Sequence, residues 1–342
     1  MSFSTKLFPH SLIGVVSVLP ALLVMPAMAY VLPTDGSTIT GDLDEMQVVL
    51  SGRKVAFENV SASGVVEPQY SGAVIENLGN ATMSGNNLFT LNSAPAGGVL
   101  YNTGTMNLNG VFGGIDDTDP EHPLSLGNSA SNGGAIYNAN TGRMEVGGTF
   151  TSNNASSWGG AIYNAGNLTV ADNTAFNYNK AGSVGGAITN ALGTSVLTLG
   201  SDVTFTGNEA GNDGGAIGNY KGATLVNGTT FTANKAQTGT TDVDAIGGGA
   251  MSLGAESTTQ IANATFDSNT SGFNGGAIGT RNALSASNVA AALDITDSIF
   301  TGNKALGTVT STFKSGAISL TGGNGGALDN HFYNSEGKDG YA

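Results

Sequence analysis

Residues 159–164 read GGAIYN, and the same six letters stand at 133–138. Two glycines, a small residue, a branched apolar residue and an asparagine recur on one spot. A Gly-Gly-Ala-[Ile/Leu/Met] word begins at Gly133, Gly159, Gly185, Gly214, Gly248, Gly275 and Gly325, with variants GGVLYN at Gly97 and SGAV at Ser71. Successive steps from Ser71 are 26, 36, 26, 26, 29, 34, 27 and 50 residues, a period of 26 with insertions. A second word, Phe-x-x-Asn, is interleaved with the first: Phe89, Phe150, Phe176, Phe205, Phe231, Phe266 and Phe300 each precede an asparagine by three residues. In four copies the phenylalanine lies nine residues before its paired glycines. A repeat of 20–50 residues signals a stacked architecture.

Between the words runs a third element that alternates apolar and polar residues, as in Met144-Glu145-Val146, Leu168-Thr169-Val170, Leu197-Thr198-Leu199 and Leu293-Asp294-Ile295. Each repeat thus offers three short alternating segments separated by Gly, Asn, Ser and Asp, the pattern of strands and turns. The fold class is therefore all-β: a right-handed, three-sided parallel β-helix of about ten coils, each rising about 4.8 Å. A helical solenoid fails because glycine costs about 1 kcal/mol per interior helical site. A propeller needs about 40 residues per blade.

Stacking assigns the letters. The pairs Gly133-Gly134, Gly159-Gly160, Gly185-Gly186 and Gly214-Gly215 suit a tight corner with positive φ where stacked backbones crowd. Ile136, Ile162, Ile188, Ile217, Met251, Ile278 and Leu328 form one inward column. Asn138, Asn164, Asn190 and Asn219 fall on the same side and can bond one another, each amide both donating and accepting; Thr280 weakens that ladder in one copy. Phe150, Phe176, Phe205, Phe231, Phe266 and Phe300 form a second inward stack.

The first 29 residues carry Lys6, an apolar stretch from Leu12 to Met25 and Ala27-Met28-Ala29, which reads as a secretory signal peptide. The expected organisation is a signal peptide at 1–29, an N-terminal cap at 30–70, the β-helix at 71–330 and a tail at 331–342. No later segment is apolar enough to span a bilayer. Without Lys6 the chain has 10 basic against 25 acidic residues, near −15, a surface that repels nucleic acid and anionic membranes. The absence of cysteine in an exported chain favours a Gram-negative bacterium. The expected location is the outer surface or the medium.

With both words in hand, the chain resembles the passenger regions of the chlamydial polymorphic membrane proteins, which carry many GGA[ILV] and FxxN copies. The resemblance covers about 71–330. It implies an autotransporter with a signal peptide, a β-helical passenger outside the cell and a C-terminal outer-membrane barrel. It also implies adhesion to host cells, an association carried in that family by the GGAI and FxxN words. Two departures stand: HFYNSEGKDGYA after Asn330 is too short for barrel strands, and cysteines are absent. The sequence thus reads as a truncated or separately exported passenger.

The chemistry that would contradict a binding role is sparse. β-Helices also carry polysaccharide lyases and hydrolases, which need converging carboxylates with a nearby base. DDTDPEH at 116–122 holds Asp116, Asp117, Asp119 and Glu121, a solvated turn with a weaker claim on calcium, and no Lys or Arg lies within twenty residues. The insertion at 236–247 adds Asp242 and Asp244, and a third runs from Asn303 to Gly325. GGNGGALDN at 322–330 fails as a calcium nonapeptide at Ala327, and His122 and His331 are out of phase for a shared metal. Tyr137 and Tyr163 should face outward one coil apart, able to stack on a sugar, on a protein or simply on each other. The expectation is an adhesin with no catalytic residues, metal or cofactor; its partner is a host-cell surface protein or glycan, contacted through the insertions, and its helix ends are open to self-association.

Overall fold

The computed structural model of the chain describes residues 29–31, 37–42, 46–50, 54–63, 74–118, 124–237, 247–280, 291–306, 316–319, 330–333 and 336–337. The expected signal peptide through Met28, Asp119, Glu121, His122, Asp242, Asp244 and the Gly-Gly-Ala word at Gly325 lie outside the described residues. Those described form strands and turns with no helix, stacked as a parallel β-helix with three faces.

One coil shows the plan. Ile162–Asn164 makes the first face, Asn167–Val170 and Ala175–Asn177 the two halves of a bent second face, and Lys180–Ala181 the third. The first face is an 11-stranded sheet and the third an 8-stranded one. The halves of the second face fuse where Thr105–Gly113 and Arg143–Thr151 run through the bend as single strands. Pairing runs parallel from each coil to the next, so the described strands stack along an axis and form no closed barrel. The exception among the described residues is an antiparallel pair, Ile115–Asp116 with Leu124–Ser125, inserted between the second and third faces. At the N-terminus, Ala29–Val31 and Met46–Leu50 stack on the first face ahead of Ile75–Asn77. At the other end Asn330–Tyr333 and Glu336–Gly337 extend the second-face ladders. The stretches expected as cap and tail thus both contribute strands.

Register places like on like. Ile75, Leu100, Ile136, Ile162, Ile188, Ile217, Met251 and Ile278 are successive partners and buried. The partner of Ile278 is Ile318, from SGAI at 315–318, a word a search for paired glycines overlooks; Leu328 lies outside the described residues. Eight phenylalanines stack: Phe89, Phe112, Phe150, Phe176, Phe205, Phe231, Phe266 and Phe300, with centroids 4.7 to 5.3 Å apart and planes within 17°. Each such contact contributes about 0.5–1.5 kcal/mol beyond area burial. Phe112 belongs to a copy that the sequence hides, because the hairpin separates it from its asparagine, Asn128. A third column, Ala155, Ala181, Ala210, Ala236 and Ser271, keeps the third face close to the core.

Three corners per coil use left-handed backbone. Within the bend of the second face the residue is Asn173, Asp202, Gly228, Asn263 or Asp297, types that tolerate positive φ. At Phe-x-x-Asn it is the second x: Leu91, Ser152, Tyr178, Gly207, Ala233, Ser268 and Gly302 have φ between 54° and 65°. At Gly-Gly it is the first glycine, with φ 66° at Gly159. The second glycine has another reason to exist: a Cβ on Gly160 would collide with the Gly186 carbonyl and the Lys180 backbone of the next coil.

These two kinds of corner make opposite predictions. Ala233→Gly relieves left-handed strain and should raise the unfolding free energy by about 0.5–1 kcal/mol. Gly160→Ala should lower it by more than about 3 kcal/mol or prevent folding, since backbone must move. Urea unfolding of the two variants checks both.

Candidate functional site

The residues singled out in the sequence are placed inside the tube or in its corners. Gly133, Gly134, Gly159, Gly160, Gly185, Gly186, Gly214 and Gly215 are buried, as are the isoleucines that follow them. Asn138, Asn164, Asn190 and Asn219 are fully buried and form a ladder that starts at Asn77. The links are Asn77 to Asn102, Asn102 to Asn138, Asn138 to Asn164, Asn164 to Asn190 and Asn190 to Asn219, at 2.6 to 3.2 Å. Each Nδ2 donates onward to the next Oδ1; that of Asn164 also donates to the Val196 carbonyl at 3.0 Å, pinning the turn into the second face. The ladder stops one coil before Thr280, because Leu253 follows Asn219 and cannot accept. Asn219 donates instead to the Thr259 hydroxyl at 3.0 Å.

A second ladder, to which sequence reading gave no role, is built from the asparagines of Phe-x-x-Asn. Asn92, Asn128, Asn153, Asn179, Asn208, Asn234, Asn269 and Asn303 are linked Nδ2 to Oδ1 at 2.9 to 3.0 Å. Asn179 shows the full set. Its Oδ1 accepts from the backbone N–H and Nδ2 of Asn153, and its Nδ2 donates to the Phe150 carbonyl and Asn208 Oδ1. Both amide hydrogens and both lone pairs are used, which makes a buried amide acceptable. The signal was present in sequence, since asparagine ends all seven visible copies of the word.

Outside the first face, Tyr101, Tyr137 and Tyr163 stack with centroids 5.0 and 4.6 Å apart and planes within 19°. Trp158 lies 6.3 Å beyond Tyr163 and 5.3 Å from Tyr220, two rings that sequence reading missed. The tyrosine rings turn their faces to one another, so the pair stacks on itself and leaves no open ring face between Tyr137 and Tyr163 for a sugar. Burial, then the neighbouring Tyr163 and Tyr101 and a hydrogen bond donated to Tyr163, push the Tyr137 hydroxyl up to about 12. Burial also raises Tyr163, against the bond it accepts. Desolvation raises Glu76, the register neighbour of Tyr101.

Charged groups do not converge. The Asp116 carboxylate accepts from the Thr118 side chain and, at 3.0 Å, from its backbone N–H, and these bonds hold its pKa below the usual value. Among the described residues no three His, Cys, Asp or Glu side chains come together. Lys180 with Glu209 at 4.0 Å and Lys221 with Glu256 at 3.5 Å are surface pairs, worth about 0–1 kcal/mol each. A shallow groove over the second face, lined by Val196, Leu225, Thr258 and Gln260, holds one carboxylate, Asp294, and no lysine or arginine.

A family model described as the Chlamydia polymorphic membrane protein (Chlamydia_PMP) repeat matches residues 147–165 and 202–220. Both matches run through a Phe-x-x-Asn word and the Gly-Gly-Ala-Ile word that follows it. No curated protein and no solved structure matches the chain.

Asn179→Ala would leave the backbone N–H of Asn153 and one of its Nδ2 hydrogens without an acceptor inside the tube and would take the side-chain donor from the Phe150 carbonyl, while Asn208 Oδ1 keeps the backbone N–H of residue 179; the change should cost about 3–5 kcal/mol in urea unfolding. Tyr137 titrates higher folded than unfolded, so the stability it contributes is present below pH 10 and is lost as pH rises toward about 12. Ultraviolet titration should show a tyrosinate component near pH 12 that is absent from Tyr137→Phe.

Proposed function

We propose that the chain is the β-helical passenger of an autotransporter-like surface protein of a Gram-negative bacterium, and that it acts as an adhesin for a host-cell protein or glycan. The observation that carries this reading is the polymorphic membrane protein repeat, found on a scaffold whose described carboxylates and bases do not converge. The scaffold refines how adhesion would work. Ile162, Asn164, Phe176 and Asn179 are fully buried, so the fixed letters of the repeat words cannot be the contact surface. Binding falls to the outward residues and the insertions, which solenoids commonly use for recognition. Repetition along the tube then adds weak contacts through multivalency.

The purified chain should bind cultured epithelial cells saturably, read by flow cytometry. Phe205→Leu, a buried apolar change that removes one ring from the stack, should lower the melting temperature yet leave cell affinity within about twofold, because a residue that never touches a partner changes affinity little. A folded Phe205→Leu protein that no longer binds would defeat the proposal. So would unsaturated products released from polygalacturonate, which would mark a lyase instead.

A further inference from the structure

Five of the twelve large apolar side chains exposed among the described residues gather at one corner of two successive coils. Leu88 and Val111, 46% and 42% exposed, hold outward positions on the second face and are register partners, one coil apart. Leu91, 47% exposed, is the left-handed residue that turns the corner of the Leu88 coil. From the same corner projects the inserted hairpin, with Ile115 and Leu124 exposed. It is fastened to the wall: the Leu91 N–H donates to the Leu126 carbonyl at 3.2 Å, and the Leu126 N–H to the Gly114 carbonyl at 2.9 Å.

Other coils show that the scaffold does not need these side chains. The column that holds Leu88 and Val111 continues as Thr149, Ala175, Thr204, Thr230 and Thr265 through five successive coils, and an isoleucine, Ile299, returns only beyond them. The corner occupied by Leu91 is glycine at Gly207 and Gly302. Threonine and glycine would serve the fold at least as well, and contiguous exposed apolar surface marks an interaction site. The charge around it is of one sign. No lysine or arginine occurs between Lys54 and Arg143, and Asp116 and Asp117 follow Ile115 directly. A second copy of the chain would bring like charge against like, and an anionic membrane would be repelled. The five side chains are aliphatic, without the ring faces on which sugars stack.

We propose that this corner, Leu88, Leu91, Val111 and the hairpin bearing Ile115 and Leu124, is a docking surface for a protein segment that presents apolar side chains flanked by lysine or arginine. The assignment rests on the adhesin reading for its biological setting and on the geometry for its place.

The test uses the full chain and a triple variant, Leu88→Thr/Leu91→Gly/Val111→Thr, which makes these coils resemble the others and should fold at least as stably. The probe is a fluorescent synthetic peptide of leucine and lysine, with a leucine–glutamate peptide as its twin, read by anisotropy. The native chain should prefer the lysine peptide, the preference should shrink as salt rises, and the variant should bind it at least about tenfold more weakly. Equal binding by native chain and variant, or equal binding of both peptides, overturns the proposal. Native chain that dimerises or binds phosphatidylcholine vesicles through Leu88 and Val111, while ignoring the lysine peptide, overturns it in favour of those partners. Cell binding separates the two readings. If native chain and variant adhere equally, the docking surface falls and the adhesin stands; if neither adheres but the peptides discriminate, the adhesin falls and the surface stands.

Discussion

Every coil must lie in parallel register on the next at about 4.8 Å, and that spacing is the constraint on which the rest of the molecule depends. A side chain that points inward meets the same position of the coils above and below. Only residues that gain from contact with their own kind can fill such a column. Phenylalanine stacks on phenylalanine with nearly parallel planes. Asparagine bonds to asparagine because its amide carries both donors and acceptors. Glutamine would need a longer path and aspartate would meet its own charge, so the choice follows from size and polarity together.

The corners impose the second condition. Each coil closes only if the backbone turns sharply, and the turns at the bend of the second face, at Phe-x-x-Asn and at Gly-Gly pass through left-handed φ. Where the turn is also crowded, as at Gly160 against Gly186 and Lys180, glycine alone fits. Where there is room, the position accepts leucine, serine, tyrosine or alanine at a modest energetic cost. The second asparagine ladder stands directly after the strained position, so its bonds offset the strain of the turn they follow. Strain and restraint are thus neighbours along the chain in the five Phe-x-x-Asn words whose left-handed residue is not glycine.

A scaffold built this way divides its labour between inside and outside. The fixed letters of the words that make the chain recognisable are hidden from any partner, while the outward letters between them vary: glutamate, threonine, leucine, glutamine and aspartate share one outer column of the second face. Insertions break the period without breaking the stack, as the hairpin between Phe112 and Asn128 shows, because the ladder rejoins at Asn128. Recognition can therefore change without penalty to the core.

The periodic words by themselves determined the all-β coil, its three segments, the isoleucine and phenylalanine columns and the inward asparagine after Ile162, because each is a statement about residues repeated at one phase. What recurs once, or off phase, only the tertiary structure decided. Phe112 and Asn128 belong to one word that fifteen intervening residues conceal, and Ile318 follows Ile278 although its word lacks the first glycine. Leu253 ends a ladder because it offers Asn219 no acceptor, and Thr259 takes over from a different face. Trp158 and Tyr220 meet across coils, as Leu88 meets Val111, because a 4.8 Å rise brings together side chains that sequence holds more than twenty residues apart. Period is written along the chain, whereas contact is set by the rise of the coil.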